Sequence, residues 1–176
     1  MLNLATHPYP MLHPIAGLLE ALHRNDIVYC TLKGNDQHLK KALSGESDLD
    51  VLFDVRQKAK VESVLVSLGF KEFDVIGPRR FKDIVDFFSL DPDSGKLIHV
   101  HTHYGFTIGE PFLKGYQPDI ADHILKFRIY NEDYGLYCIK PELELTLLYM
   151  TETLKIRSRD VLRLFLRRNR SVTEKA

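Results

Sequence analysis

Leu32-Lys33-Gly34-Asn35, followed after a helix-length spacer by Gly45-Glu46-Ser47-Asp48-Leu49-Asp50-Val51-Leu52-Phe53, is the stretch whose reading decides the fold. Asp48 and Asp50 sit two apart in a run that otherwise reads as a β-strand. Side chains alternate across a strand, so both carboxylates point to one face and Leu49, Val51 and Phe53 to the other. Two like charges this close repel, and a cation between them removes the penalty. Hard divalent cations such as Mg²⁺ take carboxylate and phosphate oxygens. The plain alternative is a polar strand start, since Asp and Ser are frequent where a turn enters a strand.

Working outward, Ile27–Leu32 reads as the preceding strand, rich in β-branched and aromatic residues. It ends at the Lys33-Gly34 turn, and 36–43 is helix-like, with Leu39 and Leu43 on one side. Upstream, Leu12, Ile15, Leu18, Leu19 and Leu22 fall at helical spacing, and 1–10 is an irregular lead-in. Downstream, Asp54 can cap a helix over 55–68, with Gly69 as its C′ residue. A short strand follows over 70–76. Two more strands, 84–90 and 96–104, flank the turn Asp91-Pro92-Asp93-Ser94-Gly95 and form a hairpin. Residues 105–117 read as loop, with a short helix from Pro118 and a strand over 136–139. Pro141 opens a long helix to 156, with Glu142 and Glu144 favourable near its positive end, and a second helix spans about 159–169. This order indicates an α/β (α+β) protein: a mixed β-sheet with flanking helices and a helical C-terminal part, divided as 1–140 and 141–176.

Bulk properties narrow the function classes. Lys plus Arg equals Asp plus Glu, 24 each, so net charge does not drive the chain toward nucleic acid or a membrane. Cys30 and Cys138 lie in apolar strand-like runs and read as buried thiols, not a disulfide framework. No signal-peptide pattern and no bilayer-length apolar run is present, and a cytoplasmic protein is expected.

The strand ending in Gly34, the short helix, and Asp48-x-Asp50 on the next strand resemble the nucleotidyltransferase superfamily related to DNA polymerase β. Leu32-Lys33-Gly34 and the helix ending Leu68-Gly69-Phe70 are similar to the uncharacterised bacterial nucleotidyltransferase-like proteins. The likeness covers about 12–104, with weaker similarity beyond. It implies transfer of a nucleoside monophosphate from an NTP to an acceptor. Asp48 and Asp50 would hold Mg²⁺ or Mn²⁺, and Lys33, Gly34 and Asn35, with Ser47, would meet the nucleotide.

The third acid of the family falls on an apolar-Asp-apolar-His segment, which here reads Ile98-His99-Val100-His101-Thr102-His103. His99 stands at the acid's position, and His101 matches the family's His. An imidazole is a poor Mg²⁺ ligand and suits zinc or other transition metals. Three outcomes stay open: lost activity, a changed metal, or a substitute acid, for which Asp86 is the obvious choice. His99, His101 and His103 share one strand face, so the expected metal set is Asp48, Asp50, His99 and His101, with Zn²⁺ an alternative at the histidines. The catalytic set is Asp48, Asp50 and His99.

Arg79, Arg80 and Lys82 read as a solvated loop. The C-terminal run Lys155, Arg157, Arg159, Arg163, Arg167, Arg168 and Arg170 reads as the solvated face of a packing helix, which argues against nucleic acid as partner. The competing readings are a binding module that kept the fold but lost catalysis, and a His-rich metal-binding protein. The basic end at 176 leaves room for further domains of a longer chain.

Overall fold

A computed structural model of the chain describes residues 11–73, 83–108 and 116–154. The expectations for 1–10, for the Arg79–Lys82 loop and for the basic C-terminal segment lie outside the described residues. Helix α1 (His13–Arg24) begins with Pro14 in its first turn and buries Ile15, Leu18, Leu19 and Leu22. Strand β1 (Tyr29–Thr31) follows. Asn35 then caps α2 (Asp36–Leu43), its side chain accepting the His38 N–H at 3.0 Å. After β2 (Leu49–Phe53), Asp54 caps a single 3₁₀ turn (Val55–Gln57) that leads into α3 (Lys58–Ser67). The cap is therefore where the spacing puts it, but the first turn is tighter than an α-helix.

Strands β3 (Lys71–Phe73), β4 (Ile84–Leu90) and β5 (Leu97–His103) come next, then α4 (Ala121–Lys126), β6 (Ile129–Asn131), β7 (Leu136–Cys138) and α5 (Pro141–Leu154). Strand β6, and an isolated bridge between Ile108 and Tyr116, escaped the sequence reading. The seven strands form one mixed sheet ordered β3-β4-β5-β2-β1-β7-β6. Strand β2 is antiparallel to β1 and parallel to β5, and β4 and β5 are the expected hairpin.

Alternation along these strands makes two cores. Leu49, Val51, Phe53, Val85, Phe87, Ile98 and Val100 pack with α1, α2 and α3 on one face. Cys30, Leu52 and Ile139 lie on the other, with Ile124 and Leu125 of α4 and Leu143, Leu147, Met150 and Leu154 of α5. Both cysteines are buried and free. Thr102, fully buried within β5, donates its hydroxyl to the Val85 carbonyl at 2.7 Å, which satisfies a polar group inside the first core. No helix among the described residues is long and apolar enough to cross a membrane.

Candidate active site

Asp48 and Asp50 point away from the α1–α2–α3 core because Leu49 and Val51 point into it. Register then decides their neighbours. Asp50 stands opposite His101, and His101 opposite Asp86, so three strands place these residues in one cross-strand row. The row on one side has His99 opposite Phe88, and that on the other has His103 opposite Leu52 and Ile84. All three histidines thus lie on the face of the aspartates, as their period-two spacing requires.

The contacts are short. His101 Nδ1 is 3.1 Å from Asp50 Oδ1, and His103 Nε2 is 3.5 Å from the same oxygen. The Lys33 ammonium stands 2.6 Å from Asp50 Oδ2. His99 is held between carboxylates: Nδ1 is 2.9 Å from Asp48 Oδ1 and Nε2 is 2.7 Å from Asp86 Oδ1. Its ring stacks on Phe88 with centroids 4.4 Å apart, which sets the ring plane. Asp86 also stands 3.5 Å from His101 Nε2. It therefore faces the aspartates together with His99, which joins the two candidates for the third position instead of choosing between them.

Burial would raise the Asp50 carboxyl, but polar contacts with His101, His103 and Lys33 outweigh it and hold Asp50 well below the usual carboxylate range. His101 is pulled two ways. Burial lowers it, while the Asp50 hydrogen bond and the charges of Asp86, Asp50 and Asp48 raise it, and the net shift is upward. His103 goes down, because burial dominates and Asp50 offsets it only in part. A neutral imidazole beside an ionised carboxylate is a ready metal donor pair.

Ligand atoms of Asp50, His101 and His103 lie within 4.8 Å of one another. Asp50 Oδ2 and His103 Nε2 are buried, and what they meet is the Lys33 ammonium at 2.6 Å and, more loosely, Asp50 Oδ1 at 3.5 Å, contacts a cation would replace. These donors fit a divalent ion, and two imidazoles with one carboxylate suit zinc or manganese better than magnesium. Asp48, by contrast, is more than half exposed and engaged by His99, and it lies outside this group, which brings in His103 instead.

The chain matches no family model and no curated protein. Among solved structures it is similar to a Thermotoga maritima protein assigned to the nucleotidyltransferases, with TM-score 0.52 and 13% identity over 93% of this chain and 99% of that one. The fold is that of a nucleotidyltransferase. A second similar structure is the lincosamide antibiotic adenylyltransferase LnuA with lincomycin bound, with TM-score 0.46 and 15% identity over 85% of this chain and 90% of that one.

On this nucleotidyltransferase-like fold, the residues expected to meet a nucleotide have partners within the chain. The Gly34 N–H donates to Glu144 Oε2 of α5 at 3.1 Å and does not stand open to a phosphate. Gly34 is favoured by closeness: a Cβ there would lie 3.1 Å from the Ile139 carbonyl and 3.4 Å from Cys138 Cβ, a tight fit that backbone would have to relieve. Asn35 is committed to capping α2, and Ser47 is exposed. Glu144 is the site-adjacent residue the sequence reading missed. Its position near the start of a helix suggested a dipole partner, and only the tertiary packing of α5 brings it to Gly34.

Proposed function

We propose that the protein is a metal-dependent nucleotidyltransferase that moves a nucleoside monophosphate from an NTP to an acceptor hydroxyl or phosphate. The observation that carries this reading is the row Asp50–His101–Asp86, with Asp48 and His99 beside it, next to the Lys33-Gly34 turn. The acceptor oxygen would attack the α-phosphorus, the bond from that phosphorus to the bridging oxygen would break, and pyrophosphate would leave. Asp50, His101 and His103 would hold the cation, with Asp48 turning toward it. A divalent ion there supplies charge neutralisation to the phosphate oxygens.

The other residues act directly. Lys33, now 2.6 Å from Asp50, would be released by an arriving cation to meet a phosphate as a point charge. Asp86 holds the His99 ring through Nε2. Once Asp48 turns away, His99 Nδ1 is left to accept the acceptor's proton, in the manner of a base oriented by a carboxylate. Glu144 must leave the Gly34 amide before a phosphate oxygen can take its place.

A second reading has its own observation. Lys33 on Asp50 and Glu144 on Gly34 already fill, from within the chain, positions a cation and a phosphate would occupy. A module that has retired from catalysis would look this way. Thermal-shift titration with each NTP, in Mn²⁺, Zn²⁺ and Mg²⁺, separates the two. The enzyme reading expects stabilisation by an NTP with metal, its loss in Asp48→Asn/Asp50→Asn, and pyrophosphate release with a suitable acceptor. Nucleotide binding without turnover over a broad acceptor screen supports the module. No shift with any NTP overturns the enzyme reading.

A further inference from the structure

We propose that His13, Asp91 and Asp93 form a second metal site, which takes a first-row divalent transition ion such as Zn²⁺ or Mn²⁺ and ties the first turn of α1 to the β4–β5 turn. One ligand atom from each of the three lies within 4.8 Å of the others, and none belongs to the Asp50–His101–His103 group.

The deciding residue is Asp91. It is only 2% exposed, and its Oδ1 completes no hydrogen bond, although the His13 backbone N–H faces the carboxylate. Its Oδ2 accepts from the Ser94 N–H at 3.0 Å and the Ser94 hydroxyl at 2.5 Å. A buried carboxylate oxygen met by no more than a loosely placed N–H is unfavourable, and a cation is the stronger partner it can take. The hairpin holds the residue in place: the Asp91 N–H donates to the Lys96 carbonyl, and the Gly95 N–H to the Asp91 carbonyl, both at 2.9 Å. Gly95 has φ +69°, a left-handed geometry that glycine adopts without strain.

The other two donors are exposed. His13 Nδ1 and Asp93 Oδ2 are 2.6 Å apart, and both side chains are about two-thirds exposed. Zinc ligands at about 2.0–2.2 Å stand roughly 3.4 Å apart in a tetrahedron, so the His13–Asp93 contact must open by about 1 Å or less. Two exposed side chains can rotate that far. Lys96, the cation in the same turn, is engaged elsewhere, with its ammonium 2.9 Å from the Ser44 carbonyl. One imidazole with two carboxylates selects zinc or manganese over magnesium and calcium, which prefer all-oxygen sets. The clamp sits just before β5, the strand that carries His99, His101 and His103.

The test uses the full chain carrying Asp50→Asn/His99→Ala/His101→Ala/His103→Ala, which removes every imidazole and the central carboxylate of the first site. Equilibrium dialysis against zinc alone is expected to find about one ion per chain, with a rise in melting temperature. His13→Ala and Asp93→Ala, both at exposed positions, are each expected to weaken this binding about tenfold or more and to abolish the rise. Absence of zinc binding in this background overturns the proposal, as does zinc binding that survives both substitutions. Should the background variant fail to fold, the wild-type chain serves: each substitution must lower zinc stoichiometry by one, and an unchanged stoichiometry overturns the site.

Discussion

Asp50 concentrates the chemistry because three groups, Lys33, His101 and His103, converge on one carboxylate. Removing its charge leaves Lys33 and His101 without their anion, while Asp86 keeps its hold on His99. His99→Asp tests the departure from the family pattern. It would place a third carboxylate between Asp48 and Asp86 and remove the stacking on Phe88. The metal-free variant is expected to lose about 1–2 kcal/mol through like-charge repulsion. Its thermal shift with Mg²⁺ should exceed that of the wild type, and an unchanged metal preference would refute the role given to His99. Asp54 offers a stability test away from the site. Its carboxylate accepts the Arg56 N–H at 2.9 Å and the guanidinium at 2.6–3.0 Å, and the Arg56 side chain holds its titration below the usual range. A depressed carboxylate stabilises above its unfolded value, about 3.9, and loses that contribution as pH falls through the lower folded value. Asp54→Asn should therefore cost about 1 kcal/mol near pH 7, and the gap to wild type in urea melts should narrow below about pH 4.

At the scale of elements, α5 is where the sequence was least legible. Proline, glutamates and a helical pattern identify the helix, but nothing local says that Glu144 reaches the β1–α2 turn 110 residues away. The β4–β5 hairpin is the opposite case. Its turn chemistry and alternating pattern are local, so both strands and the common face of His99, His101 and His103 follow from spacing alone. Strand β6 fell between. Ile129–Asn131 is three residues long and pairs, among the described residues, with β7 alone, too short for a periodic signal. The Glu144 contact predicts that Glu144→Gln, which removes the charge but keeps the shape, strengthens NTP-induced stabilisation severalfold in apparent affinity. Isothermal titration with a nonhydrolysable NTP would measure it, and equal affinity would show that Glu144 does not compete with phosphate.

For the whole molecule, the segment after residue 140, read from the sequence as helical and packed on the α/β domain, brings α5 to one of the two cores. Leu143, Leu147, Met150 and Leu154 of α5 pack on the same core as Cys30, Leu52 and Ile139. A chain ending at Lys140 would expose that face, and each partly buried side chain lost forfeits roughly 1 kcal/mol. Such a truncation is expected to melt at least about 5 °C lower, or without cooperativity, by circular dichroism. Element order alone indicated a mixed sheet, because strands and helices alternate irregularly; the pairing of β2 with β5 was not readable, since it joins segments separated by α3, β3 and β4.

That parallel pairing governs when the site comes into being. Asp50 and His101 are 51 positions apart, so their strand contact closes a long loop, whereas the β4–β5 hairpin closes a short one. Long-range parallel pairing is slow compared with hairpin closure. During refolding the three histidines would assemble on their hairpin first and acquire Asp50 only in the last phase. Competence to bind metal would thus arrive with the completed sheet, making the ion a sensor of finished folding.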